Sequence, residues 1–409
     1  MSHPFKTGAT LPTNLAGMNR RHFLSTAAAS LAAATINPNI ALAADAPAKP
    51  VRTRWNVRGS AGFDAISFLG PLSGDEFYAK HYAAEIAGFS PRLSKGTTEQ
   101  IKALKDEAKA SDIMLTPFLD VIFSSGQDAD IPTLIRAIDG GEMLLRKPFE
   151  ASPYWDQKEW AWFMGARARL RASLVALDTA KFTDFRRDVF AATEERRLAH
   201  LRSFLGRYDV ITEQERITGR AFESQIDVVV LHFCKPHGIK VLGQQFLAAA
   251  DYDDNTLVFM AAHEMMHPPI PMDGHVAKKA IALIEADPLL MRAIREHNPS
   301  FGYTTPEGMF NEDLVQALDQ IICERLGVAR SAARRWTRAD DGMHIMAAGL
   351  YGLLMRDGYP ARGGNIEQWL DTAIDRGWLA PASLHASAAT VMGRPADRLW
   401  PVPPGSMIA

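Results

Sequence analysis

The hydrophobic pattern changes period twice along the chain. From about residue 55 to residue 219 it is mainly helical. Thr97-Thr98-Glu99-Gln100 opens a stretch in which Ile101, Leu104 and Ala108 recur at helical spacing. Residues 131–145 repeat that spacing and stop near Pro148. Residues 182–207 read as a longer, highly charged helix. Near residue 225 the pattern turns strand-like, because Ile226-Asp227-Val228-Val229-Val230-Leu231-His232-Phe233 is β-branched and nearly continuous. A turn at Lys235-Pro236-His237-Gly238 leads to a second predicted strand over residues 239–248. The polar break Asp251-Tyr252-Asp253-Asp254-Asn255 follows, and then Leu257-Val258-Phe259-Met260-Ala261-Ala262, apolar on every side. Such a run predicts a buried helix, capped by Asp254 or Asn255. The rest is mostly helical, with loops at residues 268–274, 299–308 and 358–364 and a Pro-rich, irregular tail from Arg394.

The predicted fold class is therefore α+β, predominantly helical, with a small sheet packed on a buried helix. A mainly helical region over residues 44–220 precedes the sheet-bearing region over residues 221–409. Composition narrows the class further. With 409 residues, 47% hydrophobic and 22% charged, the chain has ample material for a core and is not a disordered one. A net charge of −2 gives no electrostatic reason to expect nucleic acid as a partner. No apolar run outside the N-terminus reaches the roughly 18–20 residues that span a bilayer, so no transmembrane segment is expected in the mature chain.

Residues 1–43 read as an address. They carry Lys6, Arg20 and Arg21 and no acidic side chain. Asn19-Arg20-Arg21-His22-Phe23-Leu24 resembles the twin-arginine export motif, and an Ala/Ser-rich apolar stretch and Ala41-Leu42-Ala43 follow in order. Cleavage there leaves Ala44 first and a net charge of −5. Met18 is an alternative start. The expected location is the periplasm, or otherwise outside the cytoplasm. In that oxidising setting Cys234 and Cys323 either pair or stay as two buried thiols.

The chemistry is concentrated in His263-Glu264-Met265-Met266-His267, an H-E-x-x-H motif. At about 100° per residue, positions four apart share one helical face, so both imidazoles reach one metal ion. Glu264 is displaced around the helix and suits a general base. Zinc fits such a site, with one ion per chain. These residues resemble the zincin metallopeptidases, and the resemblance covers roughly residues 226–327.

A third ligand is expected farther along. Asp273 has the metzincin offset, but Ile270 stands where that pattern needs a turn glycine. The gluzincin pattern places a Glu on a second helix, and Asn311-Glu312-Asp313 opens one whose apolar face is Leu314, Leu318, Ile321, Ile322 and Leu326, stopped by Gly327. Glu312 is the expected ligand, with Asp273, Glu307 and Glu324 as rivals. That family often carries an Asp four residues later to orient a ligand His; here position 316 is Gln and Asp319 stands seven residues on.

The resemblance implies hydrolysis of a peptide or protein substrate, with Glu264 taking a proton from a zinc-activated water. Tyr303, His344, Tyr351 and Tyr359 are candidate oxyanion donors. The strand around Gly243-Gln244-Gln245-Phe246 is expected to pair with an extended peptide. The alternative is a non-catalytic zinc- or peptide-binding envelope protein. The aromatic group Tyr154, Trp155, Trp160, Trp162 and Phe163 is expected to serve packing. Of the other histidines, His275 stands closest after the motif.

Overall fold

The computed structural model describes residues 51–236, 238–298 and 301–401, the side chain of Ala191 excepted. The predicted leader lies outside the described residues. The chain is mostly helical and carries one four-stranded mixed sheet.

The region read as helical from residue 55 begins with a strand, β1 (Arg54–Gly59). Its partner is β2 (Gln225–Leu231), which it pairs in parallel with Trp55 opposite Ile226 and Val57 opposite Val228. A parallel pair needs a long crossover. Here residues 60–224 supply it and are mainly helical. Helix α1 (Ala61–Leu72) starts directly after β1, with Ser60 accepting from the Phe63 amide as N-cap. The long helices α2 (Gln157–Thr179) and α3 (Phe182–Leu205) and the short α4 (Val210–Thr218) then lead to β2.

The second predicted strand is two strands. β3 (Ile239–Lys240) turns back on β4 (Gln245–Ala249), and Gly243 takes φ +72° in the turn. The sheet order is β1-β2-β4-β3, with β3 antiparallel at the edge. β4 is buried at every residue and β2 is nearly so, which is why both read as unbroken apolar runs.

Helix α5 (Asp254–Glu264) follows β4 and packs on it. Its N-cap is Asp253, whose Oδ1 accepts from the Thr256 amide at 3.0 Å, so the two predicted caps give way to their neighbour. Asp254 instead pairs with Arg197 and His200 of α3. α5 stops at Glu264, before the second histidine of the motif. Pro268 and Pro269 follow at once, and a residue before proline is pushed out of the helical region.

Helix α6 (Pro306–Leu326) lies against α5. It starts earlier than the pattern suggested, with Thr305 as N-cap and proline in the first turn. Glu312 therefore sits in the second turn and is 2% exposed, not in an exposed first turn. The short α7 (Ala332–Arg338), α8 (Ile345–Arg356) and α9 (Pro381–Met392) complete this side. Cys234 and Cys323 are both buried and form no disulfide, so the pairing alternative is not realised. Trp155, Trp160 and Phe163 pack with one another and with Phe149 and Phe123. Among the described residues no helix is long and apolar enough to cross a membrane.

Candidate metal centre

α5 brings His263 to its last turn, and the non-helical turn after it swings His267 back over the same point. The two Nε2 atoms are 3.1 Å apart. Glu312, from α6, stands with Oε1 3.5 Å from His263 Nε2 and Oε2 3.5 Å from His267 Nε2. One ligand atom from each of the three residues lies within 4.8 Å of the other two. Two nitrogens bound tetrahedrally to one zinc are separated by about 3.3 Å. The observed spacing fits that value. Glu312 Oε2 is buried, with His267 Nε2 at 3.5 Å and the Tyr303 hydroxyl close to the same carboxylate.

The outer nitrogens of both imidazoles are held. His263 Nδ1 lies 2.7 Å from Asp319 Oδ2, so the carboxylate accepts from Nδ1–H and turns Nε2 toward the centre. His267 Nδ1 meets the side-chain amide of Asn311 at 3.1 Å. With the amide nitrogen toward His267, the Asn311 oxygen is buried and makes no hydrogen bond. Amide orientation is assigned from hydrogen bonding, and rotating this amide satisfies that oxygen with His267 Nδ1–H. His267 Nε2 then also faces the centre as a lone pair.

α6 supplies the rest of the scaffold by spacing alone. Glu312, Gln316 and Asp319 stand at i, i+4 and i+7, on one face. The Gln316 amide donates to Glu312 Oε1 at 3.0 Å and accepts from Trp336 Nε1 at 3.0 Å. Asp319 is gripped by Arg335, whose Nη2 donates to Oδ2 at 2.9 Å and whose Nη1 donates to Oδ1. The Arg335 guanidinium in turn covers the Phe259 ring at 4.7 Å.

Burial and these charges set the protonation. Burial pushes Glu264 up to about 7; Glu312 and Asp319 add to this, and His263 and Lys240 oppose it. His263 is raised to about 9, because Glu312 and Asp319 outweigh the burial that disfavours its charge. Burial holds His267 well below the usual range, with His263 and Lys240 adding to the effect. Lys240, on the edge strand, falls to about 8 through burial.

Of the other predicted residues, Tyr303 is at this centre. It is buried, takes a left-handed φ of +57°, and feels the charges of Glu312 and Glu264. Burial first, then those carboxylates, hold its hydroxyl well above the ordinary range. Its ring meets His344 edge-on at 5.2 Å. His344 bridges Asp313 at 2.6 Å and Asp340 at 2.8 Å. Tyr351 donates to Glu324 and Tyr359 to the Ile217 carbonyl, both elsewhere. Asp273, Glu307 and Glu324 are not in the cluster. His275 begins the helix His275–Glu285 and is exposed.

Sequence reasoning missed Gln316, Arg335 and Trp336 as supports. The i+4 and i+7 spacing from Glu312 was the available signal for Gln316 and Asp319; Arg335 and Trp336 carried none. Tyr154, expected to serve packing alone, also lies near enough to Glu264 to feel its charge. No family model, curated protein or solved structure matches this chain.

Proposed function

We propose that the protein is an exported, zinc-dependent peptidase. The observation that carries the reading is the buried His263, His267 and Glu312 group with Glu264 beside it. A purely structural site has no use for a buried, unligated carboxylate next to its ligands. The twin-arginine-type leader supports export to the periplasm.

His263, His267 and Glu312 would hold the ion, and Asp319 and Asn311 would fix the imidazoles. Bound zinc supplies a Lewis acid and lowers the pKa of a water molecule at the site. Glu264, held near 7, can take a proton from an attacking water and return it to the leaving amine. The Tyr303 hydroxyl, neutral throughout the physiological range, can donate to the developing oxyanion. The strand expected to receive an extended peptide, β4 with Gln245 and Phe246, is paired on both sides, so a substrate adding as a strand would meet the two-residue edge strand β3 instead.

Zinc content by elemental mass spectrometry, with and without Glu312→Ala, tests the centre. About one zinc per chain, greatly weakened in the variant, is expected. Glu264→Gln should keep the zinc and lose hydrolysis of a peptide library. Full turnover in Glu264→Gln would exclude the mechanism. Zinc binding with no turnover in the wild type would favour the non-catalytic reading.

A further inference from the structure

The parallel strands β2 and β4 both deliver the chain to the same edge of the sheet, and ligand crevices form at such carboxyl ends. A cavity of about 570 Å³ opens there, the size of a small-molecule site. It lies at the start of α5, whereas His263 and Glu264 lie at its end. Eleven residues of helix put about 15 Å between the two places.

Phe190 and Tyr82 form part of the apolar wall. His232, just past β2, lies flat on Phe190, with ring centroids 3.7 Å apart and 9° between planes. Its side chain is 6% exposed, and Nε2 is buried with no hydrogen-bond partner. Glu194 Oε1 stands 3.9 Å away, beyond hydrogen-bonding reach. A buried nitrogen in that state calls for a polar group in the cavity.

The charges around the cavity are mostly spent. Lys235 pairs with Asp251. Arg197 is occupied by the carbonyls of Ala250 and Tyr252 and by Asp254. Arg196 and Glu85 remain, and neither forms an ion pair among the described residues. Arg196 uses only Nε, which donates to the Ala192 carbonyl at 2.9 Å, so its terminal nitrogens are free to fork a carboxylate. A simple anion would face Glu85 and a simple cation would face Arg196. A ligand bearing both charges satisfies both residues.

We propose that this cavity binds a short zwitterionic peptide with apolar side chains. Its terminal carboxylate would sit on Arg196, its terminal ammonium on Glu85, its side chains on Phe190 and Tyr82, and a polar backbone group on His232. The volume favours a di- or tripeptide over a single amino acid. The site stands apart from the metal centre and does not depend on its chemistry.

Calorimetric titration of the full chain carrying Glu264→Gln tests this without hydrolysis of the probe. The probes are Leu-Leu, its N-acetyl form and its C-terminal amide. Leu-Leu should bind one per chain, and each blocked form should bind at least about tenfold more weakly, the loss of one charge-assisted contact. Arg196→Gln should weaken Leu-Leu by about that factor and leave the amide unchanged; Glu85→Gln should do the same for the N-acetyl form. Both side chains reach solvent, so neither change threatens folding. Absence of binding, equal binding of all three probes, or affinity unchanged in both variants would overturn the proposal. Peptide binding confined to the metal centre would appear as that last outcome.

Discussion

Asp319 holds His263 through a 2.7 Å contact to Nδ1, although the two residues are on different helices and 56 positions apart. The same carboxylate is clasped by Arg335 from a third helix. His263 is thereby fixed in ring orientation, with Nε2 turned toward His267 and Glu312. In Asp319→Asn the acceptor is weakened and the shape kept. Zinc affinity, measured by competition with a chelator of known strength, should fall about 10–100-fold.

Gln316 satisfies two buried groups at once, Glu312 Oε1 and Trp336 Nε1. Gln316→Leu would leave both without a partner at nearly unchanged volume. A loss of about 1–3 kcal/mol is expected from urea unfolding of the metal-free chain. Equal stability would mean that neither contact matters to the fold.

Tyr303→Phe keeps the edge-on contact with His344 and removes only the hydroxyl. If that hydroxyl serves the oxyanion, kcat should drop about 100-fold or more while zinc content stays the same. A matching drop in zinc would assign Tyr303 to the upkeep of Glu312 instead.

His344 is buried between Asp313 and Asp340, which outweigh the burial and raise it from 6.5 to about 10. A raised folded-state value stabilises the protonated form of the native protein. The contribution is complete below about pH 6.5 and is lost as pH rises through about 10. His344→Gln should therefore cost most stability near pH 6 and progressively less toward pH 10. Unfolding midpoints of both proteins across that range give the comparison, and a constant difference would contradict it.

What could be read from the sequence depended on how local the cause was. His263, Glu264 and His267 were visible because four-residue spacing is a property of one helix turn. The end of that helix was visible too, in Pro268 and Pro269, but the motif drew the helix onward through His267. Glu312 was legible as part of a periodic helix, while its burial was not, since α6 begins a turn earlier than Asn311 suggested. Asp319 was noticed but left unassigned because the orienting acid was expected four residues after Glu312, and Gln316 occupies that place. Both residues share a helix face with Glu312, so the fold uses four and seven interchangeably. β1 was the plainest miss. Six residues with little alternation become a strand only because β2 lies beside them, and nothing local announces a partner 171 positions away.

That pairing also sets an order of events during synthesis. β1 leaves the ribosome some 170 residues ahead of β2 and must wait for it before any of its ladder can form. Throughout that interval it is an open edge, with only the intervening helices to shield it. A nascent or truncated chain ending near residue 220 would carry this edge indefinitely and is expected to aggregate. Completion of the sheet is thus a late checkpoint, reached only when β4, the strand that leads into the helix carrying His263, has itself been made.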